Sequence, residues 1–121
     1  MSDDFLKAAT KEIQEELDAL KQILENCNSD TDIFNNGKEI QMHLHKIKGL
    51  APMMGQKDIG EIAKITDAVV RHVIANGALE ETLKNLLESN NVMRAIFCDK
   101  YKEDINDYKK KIKETFANVL K

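Results

Sequence analysis

Apolar residues recur at spacings of three and four along nearly the whole chain, a period that fits amphipathic α-helices and not strands. The first stripe, from about Asp4 to Glu25, carries Leu6, Ile13, Leu17, Leu20 and Leu24, and the poor helix formers Asn26-Cys27-Asn28-Ser29-Asp30 end it. The second starts somewhere between Asp32 and Lys38 and runs to about Met54, with Ile40, Leu44, Ile47, Ala51 and Met54 inward. Gly55-Gln56-Lys57 reads as a turn, and Asp58 with Glu61 as a capping box for a third helix. That helix carries Ile59, Ile62, Thr66, Val69 and Val73 and stops at Asn76-Gly77. A fourth, from about Leu79 to Cys98, has Leu83, Leu86, Leu87, Met93, Ile96 and Phe97. A fifth, after Asp99, repeats Tyr101, Ile105, Tyr108, Ile112, Phe116 and Val119.

Short connections make successive helices antiparallel neighbours. The expected fold is therefore all-α: an up-down-up-down four-helix bundle over about 4–98, with an additional C-terminal helix over about 100–120. With 121 residues the chain fits one domain. The continuous apolar stripe of the last helix could serve a dimer, so oligomeric state stays open at this point.

The chain is 42% hydrophobic and 32% charged, a globular composition. The net charge of −3, with both signs interspersed, argues against nucleic acid as a partner. Lys109, Lys110, Lys111 and Lys113 make the one dense basic run, and Asp104, Asp107 and Glu114 interrupt it, as on a solvated helix face. Cys27 and Cys98 lack metal-site or redox spacing and read as reduced packing residues. No signal peptide or membrane span is read, so the expectation is a cytoplasmic protein without membrane association.

The second helix holds the informative polar residues. Gln41, His45, Lys48, Gly49 and Pro52 follow one another at helical spacing and make a polar stripe beside the buried one. His45 is expected to be exposed, with the Lys48 ammonium one turn away and no side chain at Gly49. Each feature suits phosphoryl transfer. Neutral imidazole can attack phosphorus without prior deprotonation. An ammonium nearby can neutralise the phosphoryl oxygens, and glycine lets a partner approach the backbone.

Helix arithmetic adds a residue from the third helix. Ten residues down to Gly55 and nine up from Asp58 nearly cancel at about 1.5 Å each, which returns Asp67 to the level of His45. A carboxylate there can bond one imidazole nitrogen and fix the tautomer. It can equally pair with Lys64 at i−3 or Arg71 at i+4. Lys64, one turn below, could add positive charge. Pro52 removes a helix donor and clashes with the Lys48 carbonyl, so a kink or an early helix end is expected there.

The run His45-Lys46-Ile47-Lys48-Gly49-Leu50-Ala51-Pro52-Met53-Met54-Gly55 resembles the HxxKGxxxxxG signature of histidine-containing phosphotransfer (Hpt) domains. It looks most like the N-terminal phosphoacceptor domain of CheA-type chemotaxis histidine kinases, and the likeness in helix order extends along the chain. The resemblance implies that His45 is the phosphorylated residue, that Lys48 and Gly49 fill the motif positions, and that Asp67 stands where the family carries glutamate. Lys64 departs from the family, which usually has histidine at that place. Gln41, Gly49 and Pro52 would border a docking partner. The implied partners are a histidine kinase catalytic domain, which supplies the phosphoryl group from ATP, and a response-regulator receiver, whose aspartate takes it. The chain itself would bind no cofactor: ATP and magnesium would belong to the partners, and no autokinase activity is expected of these residues.

Taken alone, an exposed helical histidine is usually a plain surface residue. A non-phosphorylated interaction module with an Hpt-like fold is the other reading. His43 and His45 point about 200° apart on a helix and cannot share a metal ion. His43 is expected at the margin of the core near Ile47, and His72 at the surface. Met42, Met53, Met54 and Met93 read as packing residues.

Overall fold

A computed structural model describes residues 2–120, and every one of its elements is helical. Helix α1 (Asp3–Glu25) begins at Ser2, whose hydroxyl accepts the Phe5 N–H, and Asp3 and Asp4 complement the positive end of its dipole. It buries Ala9, Ile13, Leu17, Leu20 and Leu24. A short helix α2 (Asp30–Asn35) follows, capped by Ser29, and buries Ile33. Asn36 separates α2 from α3 (Gly37–Met53), which turns Ile40, Leu44, Ile47 and Ala51 inward. The uncertain start of the second stripe is thus two helices meeting at one residue.

Helix α4 (Lys57–Asn76) buries Ile59, Ile62, Ala63, Thr66, Val69, Val70 and Val73 and ends at Gly77, whose φ of 100° suits glycine. The capping box expected at Asp58 and Glu61 is absent. Gln56 holds the cap position without a side-chain bond, and Asp58 and Glu61 instead pair with Lys109, about fifty residues away in the chain. Helix α5 (Thr82–Phe97) starts three residues later than Leu79, after Glu81 turns the backbone into the left-handed region. Its first turn is satisfied from elsewhere: the Asp30 carboxylate on α2 accepts the Leu83 N–H at 2.8 Å. Helix α6 (Ile105–Thr115) begins at Asp104, which accepts the Asn106 N–H.

Helix α3 packs most extensively against α4. Helix α1 packs on α3 and α5, α4 on α5, and α6 on α4. One contiguous apolar cluster joins them. Two buried polar contacts fix register across it: Asn90 on α5 donates to the Leu17 carbonyl on α1, and the Ser89 and Tyr108 hydroxyls share a hydrogen bond at 2.6 Å. Burial holds the Tyr108 hydroxyl far above its ordinary pKa, so it stays protonated. Tyr108, Ile112 and Phe116 are buried against the rest of the molecule, while Ile105 and Val119 of the same stripe are half-buried. Among the described residues no helix is long and apolar enough to cross a membrane.

Pro52 sits within the final turn of α3, and the helix ends one residue later at Met53, close to the Met54 expected from the apolar stripe. The Gly55 backbone, at φ 74°, makes the turn into α4. On that helix Gly60 has no side chain where the Pro52 ring lies, and a Cβ there would come within 2.9 Å of the ring. The α3–α4 hairpin therefore closes ring against bare backbone.

Candidate functional site

The phase of α3 is set by its buried residues. With Leu44 and Ile47 inward, His45 projects to the exposed side of the helix, and Met42 and Gly49 are exposed beside it. A Cβ built on Gly49 meets nothing within 4 Å, so the space next to His45 is open to an approaching molecule. Among the described residues no side chain bonds the His45 ring.

Asp67 comes from α4, one residue beyond the buried Thr66, and is only 3% exposed. Burying a carboxylate is costly unless it is paired, and three side chains satisfy this one. Its Oδ1 accepts from Gln41 Nε2 at 3.0 Å. Its Oδ2 accepts from Lys48 Nζ at 3.3 Å and lies 3.1 Å from Arg71 Nε. Asp67 thus meets the helix of His45, as the helix arithmetic requires, but it takes the residues on either side of the histidine. Of the two alternatives for Asp67, the bond to His45 is not formed and the i+4 pairing with Arg71 is.

Gln41 gives one amide N–H to Asp67 and is half-buried on that flank of α3. Lys64 is exposed, has no carboxylate partner among the described residues, and lines an open groove between α4 and α6 with Ile65 and Lys113. It does not join the Asp67 cluster. Gly49 and Pro52 lie on the exposed side of α3, where a docking role needs them.

The other flank of α3 holds a second carboxylate, which sequence reasoning missed. Glu16 on α1 is 8% exposed and bonds the His43 ring through Nδ1, while Lys46 Nζ lies 3.3 Å from its other oxygen. Its position carried the signal: it stands three residues after Ile13 and four before Leu20, on the rim of the apolar stripe. His43 is half-buried, as the helix phase requires.

The arrangement offers one accessible imidazole, an ammonium one turn away, and a hydrogen-bonded polar cluster around the buried Asp67. Among the described residues no three His, Cys, Asp or Glu side chains cluster as a metal site. Compared with protein-family models, with curated proteins and with solved structures, the chain matches none of them.

Proposed function

We propose that this chain is a histidine phosphotransfer domain of two-component signalling, with His45 as the phosphoacceptor. The observation that carries the reading is the exposed His45 imidazole beside open space at Gly49, with the Lys48 ammonium on the next turn. In this reading α1, α3, α4 and α5 run up-down-up-down as a four-helix bundle and α6 is the additional helix. The chain works in the cytoplasm, and the resemblance favours chemotaxis over other relays.

A ring nitrogen of neutral His45 attacks the γ-phosphorus of ATP held by a kinase catalytic domain. An N–P bond forms as the bond to the ADP oxygen breaks, and Lys48 offsets charge on the phosphoryl oxygens. In the second step a receiver aspartate oxygen attacks phosphorus, the N–P bond breaks, and the electron pair returns to the ring. Magnesium for that step is held by the receiver. The chain is a carrier, returned unchanged after each cycle.

The reading is tested with a histidine kinase catalytic domain and γ-labelled ATP. We expect label that acid removes and alkali does not, present in the parent and absent in His45→Gln. One observation favours the alternative, an interaction module that is never phosphorylated: no carboxylate bonds His45 to set its tautomer. Equal absence of label in parent and variant would favour that alternative.

A further inference from the structure

We infer that Arg71 is a positioning residue that releases Lys48 to the phosphoryl group; the inference rests on His45 being the phosphoacceptor. Two cations share one oxygen of Asp67, Lys48 at 3.3 Å and Arg71 at 3.1 Å, while Gln41 holds the other oxygen. For pairing a buried carboxylate one cation would be enough. The second has a use once charge arrives nearby.

Phosphorylation adds between one and two negative charges, by analogy with other phosphorylated side chains. Lys48 is three residues from His45 on the same helix face, and its side chain is 30% exposed, so the ammonium already borders solvent. If Lys48 were the only cation on Asp67, turning towards the phosphoryl group would strand a buried charge. Arg71 removes that penalty. It belongs to the same helix as Asp67, one turn on, and holds the carboxylate whichever way Lys48 points. Arg71 acts through Lys48 and has no need to touch the phosphoryl group itself.

The test is a double-mutant cycle read on His45 phosphorylation. Potassium phosphoramidate serves as donor: a ring nitrogen attacks phosphorus, the donor's N–P bond breaks, and ammonia leaves. A parallel arm uses a kinase catalytic domain with ATP. We expect Arg71→Ala to slow labelling about fivefold in the parent and by less than about twofold in Lys48→Ala, with Arg71→Lys recovering most of the rate. Factors that simply multiply, or an unchanged rate in Arg71→Ala, would overturn the inference. The Arg71 side chain is 56% exposed, so the variant should fold; thermal melting checks this, and Arg71→Gln replaces Arg71→Ala if it does not. Coupling seen with phosphoramidate but no label from the kinase sinks the signalling reading and leaves the charge exchange standing. Label in both arms with multiplying factors sinks the charge exchange alone. No label on His45 from either donor sinks both, and where the kinase alone labels it the cycle is read on that arm.

Discussion

Glu16 on α1 and Asp67 on α4 reach α3 from opposite sides, and each carboxylate takes two of its side chains. Glu16 holds His43 and Lys46; Asp67 holds Gln41 and Lys48. They differ in what their own helices add. Glu16 receives nothing from α1, whereas Asp67 also has Arg71 from α4. The α1 side is therefore a fastening between two helices whose donors all come from α3. The α4 side carries one cation more than its carboxylate requires. His45 lies nearer that side, about 60° around the helix from Lys48 and about 100° from Lys46. The surplus of charge is next to the exposed imidazole, which is the arrangement a group that turns anionic would call for.

The strongest challenge to this contrast is to neutralise each carboxylate. Asp67→Asn should cost about 2 kcal/mol and Glu16→Gln about 1 kcal/mol, because Asp67 is deeper and loses attraction to two cations. Urea unfolding of both variants measures this. A larger loss for Glu16→Gln would reverse the assignment of which side bears more charge energy.

The face between the two carboxylates offers a sharper test. At Gly49 an added methyl has free space, so Gly49→Ala should raise stability by about 0.5–1 kcal/mol through helix propensity. Phosphoryl uptake from a kinase domain should fall at the same time, since the methyl fills the approach to His45. A gain in stability with uptake unchanged would mean that no partner comes that close.

The smallest effect supplies a baseline for an exposed pair. The Arg94 guanidinium, bonded to Asp18 across α1 and α5, holds that carboxyl below its ordinary range. A lowered carboxylate value stabilises the fold above the unfolded pKa of about 4, and the contribution disappears as pH falls through the folded value. With the Asp18 side chain 49% exposed, Arg94→Ala should cost only about 0.5 kcal/mol at neutral pH and nothing in strong acid. A loss that persists in acid would point to packing by the arginine stem instead.

The long helices were legible because their apolar residues repeat over three turns or more. Helix α2 was not, since six residues hold less than two turns of pattern. Leu79 misled the start of α5: it is apolar and packs on the core, but from the turn before the helix. Asp58 and Glu61 carried a local capping signal that a distant lysine on α6 overrides. At the site, helical phase gave the exposure of His45 and the level of Asp67. It could not give the partners of Asp67, because Gln41, His45 and Lys48 on α3 and Lys64 and Arg71 on α4 all lie within about one turn of its level and only tertiary geometry decides among them. Lys64 shows the same limit, being one turn from Asp67 and yet turned towards α6.

The contact between Pro52 and Gly60 ties two distant positions into one unit of inheritance. A branched residue at 60 has no room while the pyrrolidine ring is present. Descendants of this sequence should therefore lose the proline before, or together with, gaining bulk at 60, and the two sites should drift as a pair while Gly49 varies on its own terms.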